Sequence, residues 1–197
     1  MLVASVIALI GFSFVSSVTP GPNNVLLWAS GSTFGLRRTG RHIVGTAIGI
    51  AVMALGAAAG LAALVPAVPQ VAVAMRIAGS VYLIWLAVQI ARGGTLAGTV
   101  VARPLGLFEA AGFQVINPKA WIFALGAMTT FRPTELPIVA GSLLVAATMF
   151  IVILPTATIW ALGGDALSRL ANGPRAGRAM CLILAALVAA TVASVWL

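Results

Sequence analysis

Between Leu2 and Phe34 the chain has no ionisable side chain. As one helix, this stretch would be about 50 Å long, well over the about 30 Å hydrocarbon core of a bilayer. A run this apolar is expected to cross a membrane, and its excess length requires a break or a tilt. The sequence supplies the break at Thr19-Pro20-Gly21-Pro22-Asn23-Asn24. Two prolines there remove backbone donors, and glycine tolerates dihedrals closed to other residues.

The rest of the chain has the same character. Hydrophobic residues make up 61% and charged residues 7% of 197, and the mean hydropathy is +1.14. A soluble surface needs about a quarter of the chain charged, and a disordered chain needs low hydrophobicity, so both classes are excluded. With 1 Cys and 1 His, neither a disulfide framework nor a Cys or His metal cluster is expected, and no metal or cofactor is assigned. What remains is an all-α integral membrane protein, one transporter-like unit over 1–197.

Charges and proline clusters cut the chain into six apolar stretches. They run from Leu2 to about Phe34, Ile43 to Val65, about Val71 to Ala91, Leu105 to Phe131, Leu136 to Leu162, and Ala179 to Leu197. None alternates with the period of a barrel strand, so six transmembrane helices are expected. The first has no basic residue ahead of it, which favours a spanning helix over a cleaved signal peptide. Loops one, three and five hold Arg37, Arg38 and Arg41, then Arg92 and Arg103, then Arg169, Arg175 and Arg178. Loops two and four hold only Arg76 and Arg132. This bias places the odd loops in the cytoplasm and both termini outside. It accounts for the net charge of +8 without a nucleic-acid partner.

A second break lies in the fourth stretch at Asn117-Pro118-Lys119, and Pro20 and Pro118 are 98 residues apart, half of 197. The spacing predicts two three-helix repeats, about 1–98 and 99–197, inserted in opposite senses because three is odd, with the first and fourth helices broken. Where the second half of a broken helix starts, unpaired N–H groups and a positive dipole end face inward, and lipid cannot satisfy them. Thr19 or Gly21 and Asn117 stand where an N-cap belongs, with Pro22 and Pro118 at the first helical position. Two such N-termini, the Asn23 and Asn24 amides and the Lys119 ammonium would converge on one cavity suited to a carboxylate. A lone Lys at bilayer depth costs about 2.5–3.5 kcal/mol, so Lys119 is expected to face water or a partner. Trp121, one turn after Pro118, is expected to wall the cavity.

At these residues the chain resembles the LysE/RhtB family of bacterial amino-acid exporters. The resemblance rests on Thr19-Pro20-Gly21-Pro22-Asn23-Asn24, Gly35-Leu36-Arg37-Arg38, Gly45-Thr46-Ala47-Ile48-Gly49, Ala78-Gly79-Ser80-Val81-Tyr82-Leu83-Ile84-Trp85-Leu86-Ala87 and Gly112-Phe113-Gln114-Val115-Ile116-Asn117-Pro118-Lys119-Ala120. Thr129-Thr130-Phe131 and Trp160-Ala161-Leu162-Gly163 look closer to the cysteine/O-acetylserine exporter branch. The resemblance implies amino-acid efflux across the bacterial cytoplasmic membrane, with an amino acid and membrane lipid as partners.

One departure bears on the substrate. Some family members carry an Asp straight after the second-helix Gly-x-x-x-Gly, and here Ile50 stands there. Glu109, Glu135 and Asp165 are all expected away from mid-membrane, so a neutral zwitterion is favoured and a basic amino acid is the alternative. Its amino group would sit on carbonyls at the half-helix C-termini, roughly residues 15–19 and 113–117. Gly45/Gly49 and Gly56/Gly60 are expected to pack helices within the chain, a homodimer face being the alternative. His42 is expected at the headgroup edge. Three scattered acids and one His do not build an enzyme centre. A non-transporting assembly partner is the remaining alternative.

Overall fold

The computed structural model describes residues 2–61, 69–92, 103–170 and 174–196. Among these residues the chain is all-helical: α1 (Leu2–Val18), α2 (Pro22–Gly56), α3 (Pro69–Arg92), α4 (Leu107–Ile116), α5 (Pro118–Phe131), α6 (Ile138–Leu170) and α7 (Pro174–Trp196), with a π-helical turn at Ala57–Leu61 after α2. The Val65 end of the second expected stretch and most of the Gly93–Pro104 link lie outside the described residues, and so do the side chains of Arg76 and Arg175.

The expected breaks are both present. Thr19, Pro20 and Gly21 separate α1 from α2, and Asn117 alone, at φ −90 and ψ 108, separates α4 from α5. A third interruption falls at Gly35, where φ is 77 and ψ is 165. This is a backbone conformation that favours glycine. Across it the chain doubles back. Ser30 and Thr39 hydroxyls lie 2.8 Å apart, and Asn23 accepts hydrogen bonds from both His42 and Thr46. In a straight helix Asn23 and Thr46 would be about 35 Å apart, so 22–34 and 36–56 form an antiparallel hairpin. Thr39 also donates to the Gly35 carbonyl at 2.9 Å, tying the turn. The arginine cluster is therefore not in a loop. Arg37, Arg38 and Arg41 are exposed on the first turns of the returning helix, whose other face buries Thr39 and His42.

Small residues set how the hairpin meets its neighbours. A Cβ at Gly45 would strike the Leu107 carbonyl, and one at Gly49 would lie 2.7 Å from the Ala111 carbonyl. The 36–56 arm and α4 thus run in the same direction, held close by this pair, as small-residue packing in lipid requires. Gly60 does something different: among the described residues nothing lies near its would-be Cβ, and its φ of 109 belongs to the π-helical turn. On the other arm Gly31 faces the Ala161 carbonyl and Gly35 faces Asp165, so 22–34 and α6 are also parallel. Gly163 and Gly164 in turn make room for Trp28. Asp165 sits inside α6, which runs to Leu170 instead of ending near Leu162, and it pairs with Arg169 at 3.1 Å.

One core cluster joins α1, both arms of α2, α5 and α6, and includes Leu9, Leu27, Ile50, Phe123, Val145, Met149 and Ile153. A second joins the 22–34 arm to α3 and α7 through Val25, Leu83, Leu184 and Val188, with Cys181 buried in it. The outside is apolar as well: on α1 alone Val3, Ile7, Ile10 and Phe14 are exposed at helical spacing. Such a surface suits lipid. Ile138–Arg169 is long and apolar enough to cross a membrane, with a mean hydropathy of 2.5; Pro22–Gly60, at 2.0, is apolar too, but the turn at Gly35 folds it into the two arms of the hairpin.

Candidate functional site

The first break leaves the carbonyls at the end of α1 without helical partners, and side chains supply them. Asn24 Nδ2 donates to the Ser17 and Thr19 carbonyls, both at 2.8 Å. Lys119 Nζ donates to the Thr19 carbonyl at 2.6 Å, the Thr19 hydroxyl at 2.7 Å and the Pro20 carbonyl at 3.1 Å. Lys119 thus spans from the second break to the first. The sequence predicted it beside an incoming carboxylate, whereas its ammonium lies on the negative end of α1. Thr19 belongs to that same end, since its hydroxyl donates to the Ser16 carbonyl. The N-cap of α2 is Gly21, followed by Pro22 at the first helical position, and no side chain caps it.

Immediately inside α2, Asn23 is the centre of a buried polar group. Its Oδ1 accepts from Gln114 Nε2 at 3.0 Å, Thr46 Oγ1 at 3.1 Å and His42 Nε2 at 3.2 Å. Gln114 also donates to the Ala110 carbonyl and accepts from Asn117 Nδ2 at 3.3 Å. Three donors on one oxygen fix the amide's orientation and leave its NH2 end free of these three partners. This overturns the expectation for His42: it is 1% exposed and part of this network, not at a headgroup edge. The hairpin at Gly35 is the reason, because it folds the returning helix back against Asn23. His42 Nδ1 and Asn117 Oδ1 are buried with no partner among the described residues.

At the second break Asn117 is the N-cap of α5 and Pro118 its first residue, again with no side-chain cap. The Val115 carbonyl at the end of α4 accepts from Trp121 Nε1 at 2.7 Å. The other end of α4 offers a contrast. There the Glu109 carboxylate accepts from the Gly106 N–H at 2.8 Å and holds Arg103 at 2.5 Å. A carboxylate caps the outer helix start, while the two inner starts keep their N–H groups free of side-chain caps.

Both inner starts open on one cavity. Gly21, Pro22, Asn23, Asn24, Asn117 and Lys119 line it, so six of the expected residues meet. Thr19 and Pro20 line a larger, mainly apolar neighbouring cavity that Lys119 also reaches. Pro118 is buried in the break but lines neither, and Trp121 is spent on Val115 and walls neither. The sequence did not single out Thr46, Gln114, Phe123 or Thr156, which also line the cavity. The first two stand inside quoted motifs, and their polarity in apolar runs was the available signal. Thr156 follows Pro155, a proline inside α6. No carboxylate lines the cavity, and among the described residues no His, Cys, Asp and Glu gather into a metal site.

The sequence profile described as "LysE type translocator" matches residues 14–195. A "Cysteine/O-acetylserine efflux protein" of Klebsiella pneumoniae is 32% identical over 167 residues, 83% of each chain. Proteins of the same name from Escherichia coli K12 and Shigella flexneri are 28% identical over 182 residues, 90% of each chain. No solved structure matches the chain.

Proposed function

The chain belongs to the LysE-type translocator family, whose members are membrane transporters and not enzymes, and from that premise we propose that it is a secondary carrier exporting neutral amino acids or close derivatives from the cytoplasm. The observation that carries this reading is the pair of helix N-termini without side-chain caps at one cavity, joined there by Asn23. N–H groups, positive dipole ends and an amide donor together suit one carboxylate. An amino group fits the carbonyl end of the first break, where Lys119 and Asn24 already bond.

A neutral substrate is favoured over a basic one by the acids. Glu109 is tied to Arg103 and Asp165 to Arg169, and neither these two nor Glu135 lines the cavity, so a second positive charge has no counter-ion. The cysteine and O-acetylserine in the relatives' names are both neutral zwitterions, which agrees. Six crossings in two inverted repeats are part of the proposal. The equivalent breaks at Pro20 and Pro118 support it, as do the parallel pairing of 22–34 with α6 and of 36–56 with α4. A further pair of helix irregularities, Pro155 in α6 and the π-helical turn starting at Ala57, stands at the same 98-residue offset. The arginine bias puts both termini outside the cytoplasmic membrane.

The direct test is uptake of labelled L-cysteine into proteoliposomes holding the purified chain. Saturable uptake, competed by neutral amino acids and not by lysine, is expected. No uptake of any amino acid above protein-free vesicles would overturn the reading. For topology, single cysteines introduced at Thr33 and after Leu197 should label from opposite sides, and labelling from one side would end the six-helix arrangement.

A further inference from the structure

We propose that Lys119 is a tethered stand-in for the substrate's amino group, which exchanges partners with the zwitterion and thereby selects substrates that carry both charges. The inference rests on the export reading above and adds to it which residue decides substrate charge.

Four observations carry it. Lys119 Nζ makes three hydrogen bonds, all to Thr19 and Pro20, at the carbonyl end where the substrate ammonium is placed. Among the described residues its only polar partners are these, because the ion pairs there are Arg103–Glu109 and Arg169–Asp165. The side chain reaches across Gly21, where a Cβ would lie 2.9 Å from Lys119 Cδ and 3.3 Å from Nζ. Lys119 also lines both cavities, so it stands between them.

The exchange follows from the position of Lys119 one residue inside α5. A carboxylate arriving at the starts of α2 and α5 comes within reach of the ammonium, and a charge-assisted bond to it is stronger than bonds to carbonyls. Lys119 then releases Thr19 and Pro20, and the substrate's ammonium takes their oxygens. Every polar group keeps a partner, and the net charge of the site does not change. An amine without a carboxylate offers Lys119 nothing in return, so it cannot displace it. A carboxylate without an amine leaves the α1 carbonyls bare, and lipid cannot satisfy them.

The test compares L-cysteine with its decarboxylated analogue 2-aminoethanethiol in proteoliposomes. The wild-type chain should carry the amino acid and neither carry nor be inhibited by the amine. Lys119→Gln should lose tenfold or more in L-cysteine transport and at the same time accept the amine, because the carbonyls are no longer contested. Gly21→Ala should shift preference the same way to a smaller extent. The Gly21 backbone is extended (φ −174), which alanine also adopts, so crowding of Lys119 is what the variant tests. A Lys119→Gln chain that folds normally but shows wild-type preference, or loses the amino acid without gaining the amine, overturns the proposal. Failure of the wild-type chain to carry any amino acid would instead overturn the export reading beneath it.

Discussion

The two breaks share a motif logic and differ in what they receive. The first is three residues wide, and its carbonyls are met by Asn24 from its own helix and by Lys119 from the other break. Asn23, just beyond it, collects donors from the returning arm and from α4. The second is one residue wide. Trp121 alone meets the Val115 carbonyl, and the polar side chains around it, Gln114 and Lys119, reach out to the first break. Polar groups thus flow from the second break to the first. Two equivalent helix interruptions can give an unequal site, with one holding the polar centre and the other supplying it.

The largest effect should come from breaking that centre. Asn23→Ala leaves the donors of His42 and Thr46 without their acceptor and Gln114 with only the Ala110 carbonyl, and each buried unpaired group costs about 1–3 kcal/mol. Transport should vanish, and thermal unfolding in detergent should fall by several degrees. Asn23→Asp sharpens the point, since it keeps an acceptor for all three but removes the NH2 end. Transport should be lost with the melting temperature close to wild type; an Asn23→Asp chain that still exports would show that the amide does not meet the substrate.

Smaller effects should separate the breaks at their carbonyl ends. Asn24→Ala removes one donor shared by two carbonyls of α1, and should cost about 1–2 kcal/mol of stability and a several-fold drop in transport. Trp121→Phe removes one bond at a carbonyl that does not line the cavity, so about 1 kcal/mol and less than a threefold change in transport are expected. Denaturation curves and initial rates on both variants check the order. Equal losses would mean that the breaks are energetically alike and that the asymmetry lies only in the contacts.

Much of this organisation was legible in the chain. The breaks at Thr19–Gly21 and Asn117 follow from proline and glycine inside apolar runs too long for one crossing, and local backbone chemistry determines them. Gly45 and Gly49 were legible as a close-packing pair, and the structure sets them against Leu107 and Ala111. Gly60 was misjudged because the same spacing serves a positive-φ turn as well as a packing face. His42 was misplaced for a related reason. Its neighbours Arg37, Arg38 and Arg41 mark a membrane edge, but residue 42 is turned about 100° round the helix from Arg41, toward the side that buries Thr39, and the fold-back at Gly35 decides what that side meets.

The amino-acid sequence by itself determined an apolar, helical, membrane-embedded chain with two interrupted helices and almost no charge between its ends. Those properties come from residue type and local dihedral preference, which do not depend on partners far along the chain. Tertiary structure alone decided which groups answer the interruptions: Lys119 on Thr19, a hundred residues away, and Gln114 on Asn23, 91 away. Such pairings are set by which helices lie side by side, and that depends on close approach at Gly31, Gly45 and Gly49 through the whole bundle. An ammonium takes whichever unpaired oxygens the packing brings within reach, and here these are backbone carbonyls of the first break.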